Sequence, residues 1–306
     1  MKLLITPLFL LITMSIVAQE ATVSTGKLDP IKSFPSNYVD SRNIDVWLPD
    51  GYNTSQKYAV LYMHDGQMLY DPTTTWNKQA WDVDEVAGQL LKEGKTQPFI
   101  IVGIWNNGPK RHPEYFPQKP FERLTKIEQD TVTGQLQKAG RIKEAFHPIS
   151  DLYLKFLVTE LKPYIDKTYS TYSDKEHTFI AGSSMGGLIS MYALCEYPKV
   201  FGGAACMSTH WTGTFTAVNN PMPLAFLTYL KSHLPNPKTH KLYFDYGDQT
   251  LDALYPKLQA EVDKVMAVKG YKATNWITRF FPGKDHSEKS WHERFHEPLE
   301  FLLGTK

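Results

Sequence analysis

The sequence has almost no excess of charge and very few cysteines. Its 306 residues include 33 lysines and arginines against 32 aspartates and glutamates, which gives a formal net charge of +1. This balance argues against a nucleic-acid-binding protein, because such proteins usually carry a basic surface. The two cysteines, Cys195 and Cys206, lie in apolar segments without CxxC or zinc-ligand spacing. We expect both to be buried thiols, with a disulfide as the alternative.

The sequence also lacks an apolar run long and pure enough for a typical membrane span of about 20 residues. The N-terminal stretch is the nearest to one, but it is short and is interrupted by threonines and a proline. Lys2, the apolar stretch and the small residues up to Ala18 are together typical of a secretory signal peptide. We expect residues 1–18 to be that signal peptide, and the protein to be periplasmic or secreted, without stable membrane association after cleavage. An uncleaved N-terminal anchor is the alternative.

No repeat, low-complexity segment or long linker divides residues 19–306. The composition, 42% hydrophobic and 21% charged, argues against a disordered chain, a collagen or a coiled coil. Short apolar runs, typical of strands buried on both faces, alternate with stretches of helical periodicity. This alternation predicts an α/β fold with a mostly parallel central sheet and helices on both faces. We therefore predict a single α/β domain over residues 19–306.

The predicted elements place the loops in which chemistry is to be sought. The predicted strands are Asn43–Leu48, Tyr58–Met63, Phe99–Ile104, His177–Ala181, Gly202–Met207, Lys241–Tyr246 and Trp276–Phe281. The predicted helices are Val83–Lys92, Ser150–Lys167, Gly187–Tyr197, Leu224–His233, Leu251–Val268 and Ser287–Leu303. In folds of this kind, functional groups lie on the loops that follow the carboxyl ends of the strands.

A candidate nucleophile follows the predicted strand His177–Ala181. Residues 182–186 read Gly-Ser-Ser-Met-Gly and lead into an apolar helix, so they match G-x-S-x-G in a strand–turn–helix context. This arrangement, called a nucleophile elbow, lifts a serine hydroxyl on a sharp turn, and the glycines leave room for the strand and helix to cross. Ser184 is therefore the predicted nucleophile. The backbone N–H of Met185, at the start of the helix, is the first predicted donor to an oxyanion.

A serine nucleophile needs a histidine base and an orienting carboxylate, in the chain order serine, acid, histidine. His286 lies on a loop after the last predicted strand, which is the position expected of the base. The acid should follow the strand Lys241–Tyr246. Asp252 is favoured, Asp248 is the alternative, and Asp245 lies inside the strand itself. An aspartate at the start of a helix can also be only a cap, which is the competing interpretation of Asp252.

The loop after the strand Tyr58–Met63 supplies the second predicted oxyanion donor. It reads His-Asp-Gly-Gln, and Gly66 permits a close approach of the backbone to a ligand. The backbone N–H of Gln67 is the favoured donor, with that of Gly66 as the alternative. His64 precedes the acid in chain order, so we interpret it as a support of this loop rather than as the base.

A metal-binding motif occurs near the C terminus. His292–His296 reads His-Glu-Arg-Phe-His and matches the H-E-x-x-H signature of zinc proteases. A catalytic zinc site needs a third protein ligand, and the carboxylates that follow, Glu297 and Glu300, are too near in the same predicted helix to complete a site easily. We predict no metal here and no organic cofactor, and we expect the apolar residues of this segment to be buried.

In this order, the motifs resemble the putative esterase family of the α/β-hydrolase superfamily. The resemblance covers nearly all of residues 30–306 and runs through Val46–Pro49, Val60–Gln67, Gly182–Gly186, Tyr243–Gly247 and Gly283–His286. It implies an α/β-hydrolase fold, and it carries the family's nucleophile to Ser184 and its base to His286. The acid carries over less directly, because several relatives have it three residues after the strand-ending glycine, where this chain has Thr250.

The resemblance implies a serine carboxylic ester hydrolase that acts through an acyl-enzyme on a small-molecule or oligosaccharide ester. The relatives include feruloyl and acetyl-xylan esterases, siderophore esterases, S-formylglutathione hydrolase and mycolyltransferases, so export favours acetyl or feruloyl esters of carbohydrates. The alternatives are a siderophore esterase, an acyltransferase, and a non-catalytic carbohydrate-binding protein with a relic elbow. Arg111, in the long connection over residues 105–147, and Trp211, after a predicted strand, are the predicted substrate contacts.

Overall fold

The computed structural model describes residues 21–305, so the predicted signal peptide, residues 1–18, lies outside the described part of the chain. Within residues 21–305, the strands form one eight-stranded sheet with the order β1-β2-β4-β3-β5-β6-β7-β8. The strands are β1 (Lys27–Phe34), β2 (Arg42–Leu48), β3 (Ala59–His64), β4 (Phe99–Ile104), β5 (Thr178–Ser183), β6 (Gly203–Met207), β7 (Lys241–Tyr246) and β8 (Trp276–Phe280).

Most of this sheet is parallel. Each neighbouring pair from β4 through β3, β5, β6 and β7 to β8 is parallel, whereas β1–β2 and β2–β4 are antiparallel. The predicted α/β class with a mostly parallel sheet is therefore confirmed. The sequence pattern does not predict β1, because this half-exposed edge strand contains lysines and Pro30, a residue that sheets tolerate mainly at their edges.

Helices occupy most of the connections between strands. They are α1 (Val83–Lys92), α2 (Arg111–Tyr115), α3 (Gln118–Glu122), α4 (Lys126–Lys138), α5 (Ser150–Phe156), α6 (Lys162–Thr168), α7 (Met185–Glu196), α8 (Met222–His233), α9 (Pro256–Val268), α10 (Glu288–His292) and α11 (His296–Leu303). The helix predicted over Ser287–Leu303 is thus interrupted. The reason is Pro298, which has no amide for the Arg294 carbonyl that a continuous helix would bond.

Two other predicted helices differ from the structure in detail. The segment predicted as Leu251–Val268 begins with a separate 3₁₀ turn, Thr250–Leu254, and α9 starts only at Pro256, a residue that suits the first turn of a helix. The helix predicted over Ser150–Lys167 is present, but Leu157–Leu161 forms a π-helical turn between α5 and α6.

Both faces of the sheet are covered by helices. In β3, Val60 and Tyr62 pack into the core on one face, and Leu61 and Met63 pack into the core on the other. Helix α7 contributes to the first core, and α1 and α11 contribute to the second. Among residues 21–305, no helix combines the length and the apolar character that crossing a membrane requires. The carboxyl ends of the parallel strands share one edge of the sheet, and the loops there form the site described next.

Candidate active site

Ser184 lies in the sharp turn between β5 and α7. Its φ of 56° and ψ of −120° put a non-glycine residue in a region that L-amino acids rarely adopt. The Ser184 amide donates to the Met207 carbonyl at 2.9 Å, and the Ser184 carbonyl accepts from the Leu188 amide at 3.0 Å. Such strain persists only where the surroundings determine it, so the turn fixes this serine at the carboxyl edge of the sheet.

Gly182 allows the strand and the helix to cross at this turn. A Cβ atom at this position would stand 2.8 Å from the carbonyl carbon of Gly186 and 2.9 Å from its Cα, closer than real Cβ contacts. Both of these atoms belong to the backbone, so neither can move aside as a flexible side chain would. The glycine spacing of the motif is therefore a steric requirement of the crossing.

His286 and Asp252 meet beside this turn. The His286 Nδ1 lies 2.6 Å from Asp252 Oδ1, and the carboxylate is fully buried, whereas 14% of the histidine side chain is exposed. The other carboxylate oxygen, Asp252 Oδ2, accepts from the Gly247 amide at 2.7 Å. A carboxylate only accepts hydrogen bonds, so this contact favours an N–H at Nδ1, and in the neutral imidazole that tautomer leaves the lone pair on Nε2. This is the tautomer that a general base requires.

Asp248, the alternative acid, makes different contacts. Its Oδ1 accepts from the Gly283 amide at 2.8 Å and from the side-chain amide of Gln249 at 2.9 Å. These bonds tie the loop after β7 to the loop after β8 and leave the carboxylate partly exposed. The structure thus brings Asp252, and not Asp248, to the imidazole.

Ser184 and His286 line one cleft with a volume of about 740 Å³. Met185 and Gln67, which hold the two predicted oxyanion donors, line the same cleft. Several aromatic side chains form its walls, and one of them, Trp76, is 84% exposed. The other lining residues include Trp81, Trp291, Phe215, Asn77, Asn106, Arg111, His112 and Arg141. The cleft therefore offers room for a substrate beside the serine and the histidine.

The backbone amides of Met185 and Gln67 lie in positions that suit donors to a ligand. Met185 is the first residue of α7, and the first N–H groups of a helix have no acceptor within it and lie at the positive end of its dipole. Gln67 lies in a single 3₁₀ turn after β3. Gly66 lets this turn pack against β4, because a Cβ there would stand 2.6 Å from the carbonyl carbon of Gly103. Two amides on neighbouring loops can together bind one negatively charged oxygen.

Arg111 lies in the cleft, but its charge is already paired. Its Nε and Nη2 donate to Asp65 Oδ1 and Oδ2, each at 2.7 Å, and Asn106 Nδ2 also donates to Oδ1 at 2.7 Å. Burial alone would raise the pKa of Asp65, but the charge and hydrogen bonds of Arg111 outweigh burial and lower that pKa. The pair is therefore ionised and neutral as a whole. Arg111 therefore lines the cleft as part of a rigid, neutral ion pair and offers a ligand no unpaired positive charge.

Trp211 does not lie in the cleft. Its side chain is 2% exposed, its Nε1 donates to Gln259 Oε1 at 2.7 Å, and its ring centroid is 5.8 Å from that of Phe244. The loop after β6 turns inward, so the indole packs in the core with its one polar atom bonded there. The expectation of a substrate contact at Trp211 is corrected accordingly: this tryptophan is a core residue.

His64 and the His292–His296 motif take no part in the contact between His286 and Asp252. His64 is buried at the end of β3 with Nδ1 2.8 Å from the Tyr153 hydroxyl, and burial lowers its pKa to about 3, so it is neutral. His292 Nδ1 lies 2.8 Å from the Trp81 carbonyl, whereas His296 is on the next helix and is half-exposed. Across residues 21–305, no three His, Cys, Asp or Glu side chains are placed to hold a metal ion.

Tyr255 lies close to Ser184 and Asp252, and no motif in the sequence predicts this position. It is fully buried, three residues after Asp252, and its hydroxyl lies 2.8 Å from His210 Nδ1. Burial first, and then the charge of Asp252, raise the pKa of Tyr255 well above its ordinary value, while a hydrogen bond with the Ser184 side chain opposes the rise. The phenol is therefore neutral and adjoins Ser184. It reaches this position only because the loops after β5, β6 and β7 come together.

Comparisons with known proteins agree with this architecture. The family model described as "Putative esterase" matches residues 36–301. An endo-1,4-beta-xylanase/feruloyl esterase of Xylanibacter ruminicola is 24% identical over 299 residues, which is 94% of this chain and 32% of that longer protein. A solved ferulic acid esterase of Anaeromyces mucronatus has a TM-score of 0.64 at 18% identity and 92% coverage of each chain. The enterobactin esterase of Shigella flexneri has a TM-score of 0.65 at 15% identity, with 92% of this chain and 60% of that one covered. The predicted α/β-hydrolase fold is confirmed.

Proposed function

The chain belongs to the putative esterase family and is a carboxylic ester hydrolase, and from this premise we propose that Ser184, His286 and Asp252 form its catalytic triad. Ser184 attacks the ester carbonyl, His286 Nε2 takes the hydroxyl proton, and Asp252 stabilises the imidazolium that results. The imidazolium then gives its proton to the leaving alcohol. Water, with His286 again as the base, hydrolyses the acyl-enzyme and frees Ser184. This chemistry needs neither a metal nor an organic cofactor.

One observation carries the proposal. The His286 Nδ1 lies 2.6 Å from a fully buried Asp252 carboxylate, in the cleft that Ser184 also lines. An imidazolium beside a buried carboxylate is stabilised more strongly than in water, because little solvent screens the two charges. The same contact fixes the ring so that Nε2 is the nitrogen left for the serine proton.

The proposed mechanism also requires groups that bind the oxyanion of the tetrahedral intermediate. We assign its binding to the backbone N–H groups of Met185 and Gln67. The position of Met185 at the start of α7 supports this assignment, because the helix dipole favours negative charge there. The tight packing of Gly66 on β4 supports it for Gln67, because a rigid loop holds its amide in place before the charge develops.

We propose acetyl or feruloyl esters of carbohydrates as the substrates. The cleft is lined by aromatic side chains, including the exposed Trp76, and such faces can pack on sugar rings and aromatic acyl groups. Arg111 adds no free positive charge, because Asp65 neutralises it. The feruloyl esterase relatives of Xylanibacter and Anaeromyces add support. Trp76→Ala should raise KM several-fold for a feruloylated oligosaccharide and leave KM for p-nitrophenyl acetate unchanged.

A siderophore ester is the second candidate substrate. The Cζ of Arg141 lies 4.5 Å from the ring centroid of Phe215, and both side chains line the cleft. An exposed guanidinium on an aromatic ring could bind a flat, electron-rich acyl group such as a catecholate. The structural similarity to an enterobactin esterase is consistent with this alternative. Transfer of the acyl group to a sugar alcohol, instead of to water, would use the same triad.

A panel of acetyl, feruloyl and catecholate esters, assayed on the mature protein, tests these candidates. We expect the highest kcat/KM on a carbohydrate-linked acetyl or feruloyl ester, and free acid as the product with or without a sugar acceptor. A preference for catecholate esters would favour the siderophore alternative, and a new sugar ester would favour acyl transfer. A fluorophosphonate probe should label the wild-type serine. A protein that binds carbohydrate but takes no label would favour the non-catalytic alternative.

We also propose that the protein is exported and that residues 19–306 form one catalytic domain. The N-terminal pattern of a lysine, an apolar stretch and small residues supports export. N-terminal sequencing of the protein from its native cells should find a chain that begins after Ala18. Recovery of the intact N terminus in the membrane fraction would instead support the uncleaved anchor. Limited proteolysis should leave the mature chain as one resistant fragment.

A further inference from the structure

Ser208 makes a closed set of hydrogen bonds beneath the proposed triad acid. It follows β6 and is fully buried. Its hydroxyl oxygen lies 2.6 Å from Asp252 Oδ2, 3.0 Å from Trp291 Nε1 and 2.8 Å from Arg294 Nη2. Its backbone amide donates to Asp245, at 2.9 Å to the carbonyl and 3.1 Å to Oδ1. The side chain and the main chain of Ser208 are therefore both held by neighbours.

The hydrogen-bond capacities of these groups determine where the hydroxyl proton points. A serine hydroxyl donates once and accepts twice, whereas an indole N–H and a guanidinium only donate. Trp291 and Arg294 therefore occupy both acceptor positions of Ser208. Its single proton is left for Asp252, the one neighbour of this hydroxyl that can accept.

Ser208 also separates a buried cation from the proposed acid. Arg294 Nη2 lies 3.0 Å from Asp245 Oδ1 and 3.9 Å from Asp252 Oδ2, and all three side chains are at most 2% exposed. The guanidinium thus hydrogen-bonds Asp245 and the Ser208 hydroxyl, whereas its ion pair with Asp252 is longer and has no hydrogen bond of its own. A closer, hydrogen-bonded pair between Arg294 and Asp252 would compete more strongly with the imidazolium for the same carboxylate.

The backbone of Ser208 is strained in the conformation that makes these contacts. Its φ is 42°, a value uncommon for a residue other than glycine. Strain of this kind costs free energy and persists where the surroundings determine it, often at functional sites. The strained backbone turns the chain after Met207 so that the Ser208 hydroxyl reaches beneath Asp252.

We propose that Ser208 is a positioning residue that orients Asp252 toward His286 and keeps Arg294 from hydrogen-bonding to that carboxylate. The inference rests on the proposed function of Asp252 as the triad acid. It assigns to Ser208, on the loop after β6, a part in the chemistry, although its side chain is fully buried and does not line the cleft. Ser208 acts through Asp252 alone.

Ser208→Ala removes the hydroxyl and tests the proposal. We expect kcat on p-nitrophenyl acetate to fall tenfold or more, with KM unchanged within a factor of about two, because the acid acts in the transition state and does not bind the ester. We also expect the low-field proton resonance of His286 Nδ1, assigned by its absence in His286→Gln, to shift or disappear. Ser208→Gly should behave in the same way, and glycine tolerates the positive φ.

Thr209→Val is the matched control. Thr209 is the next residue, 1% exposed, and its hydroxyl donates to the Cys206 carbonyl at 3.0 Å without contacting Asp252. Its kcat and its His286 resonance should match the wild type. Wild-type kcat and an unchanged resonance in folded Ser208→Ala and Ser208→Gly would overturn the proposal. If the wild type neither hydrolyses esters nor takes the fluorophosphonate label, the proposed function fails, and the resonance alone then decides whether Ser208 orients Asp252.

Discussion

The proposed nucleophile and the proposed base line the same cleft, but the two regions that hold them are built in opposite ways. Ser184 lies in a turn that consecutive residues, 182–186, encode through their glycine spacing, and the Met207 carbonyl holds its strained backbone in place. The Asp252–His286 pair is held by segments far apart in the chain: the loops after β6, β7 and β8, and helix α10. A locally built site leaves a motif in the sequence, whereas a site assembled from distant segments does not.

Backbone strain is common to both regions. Non-glycine residues with positive φ follow four of the strands that meet at this edge, namely Asp65, Ser184, Ser208 and Thr250, after β3, β5, β6 and β7. Each loop must turn back sharply over the end of its strand, and the tertiary contacts hold the strained conformation. The two regions thus differ in how many chain segments hold the functional side chains. The effects of substitutions should differ accordingly. In the nucleophile region one change should abolish the chemistry, whereas in the acid–base region the losses should be graded.

Ser184→Ala should have the largest effect. Without the hydroxyl no acyl-enzyme can form, and we expect kcat/KM on p-nitrophenyl acetate to fall on the order of 10⁶-fold, to the level left by the oxyanion donors and binding. The fluorophosphonate label should disappear as well. The thermal unfolding midpoint should stay near that of the wild type. Retention of the activity or of the label would show that Ser184 is not the nucleophile.

Asp252→Asn should have the next largest effect. An amide at this position no longer holds a proton on His286 Nδ1, so the imidazole can adopt the wrong tautomer, and we expect kcat to fall on the order of 10⁴-fold. Asp248→Asn is the matched control, because it changes a neighbouring carboxylate that contacts Gly283 and not His286. Its kcat should change less than about threefold. Equal losses in the two variants would contradict the assignment of Asp252.

The Ser184 turn could be predicted from the sequence more completely than the Asp252–His286 pair. The elbow at Ser184 could be predicted because sterics within a few residues require its glycines. The choice between Asp248 and Asp252 stayed open, because it depends on the 3₁₀ turn after β7 and on which side chain that turn directs to His286. The prediction of a substrate contact at Trp211 fails because an aromatic residue after a strand can face either a cleft or the core, and the local sequence does not distinguish the two.

The edge of the sheet shows the same limit on prediction. β1 is stabilised by pairing with β2 and not by an apolar pattern of its own, so it has no signal in the sequence. The hydroxyls of Ser208 and Tyr255 likewise reach residues of the proposed triad only through tertiary packing. Residues whose roles depend on distant segments are thus the ones that the sequence conceals, in the scaffold as well as in the site.

Gly182→Ala tests the local construction of the nucleophile region. The new Cβ would meet the backbone of Gly186, and we expect the free energy of unfolding to fall by about 1–3 kcal/mol, as for other overpacked sites. Activity should fall too, because Ser184 is displaced. Gly134→Ala, in the exposed part of α4 with nothing within 4 Å of the new methyl, is the control and should gain about 0.4–1 kcal/mol. If urea unfolding gives Gly182→Ala and Gly134→Ala the same free energy of unfolding, the turn at Ser184 tolerates a side chain at position 182.

Tyr255→Phe should have the smallest effect, and it tests whether the two regions are linked. The phenol bonds His210 Nδ1 at 2.8 Å and lies within hydrogen-bond reach of the Ser184 side chain, so its removal deletes contacts on the serine side and keeps the ring 5.9 Å from that of His286. One such bond contributes about 1 kcal/mol, so we expect kcat to fall roughly fivefold with KM unchanged. Tyr271→Phe deletes a buried hydroxyl bonded to the Pro235 carbonyl, outside the cleft, and should leave kcat intact. If both variants keep wild-type kcat, the Tyr255 hydroxyl does not contribute to catalysis. Ser184 would then depend on the acid–base pair through His286 alone.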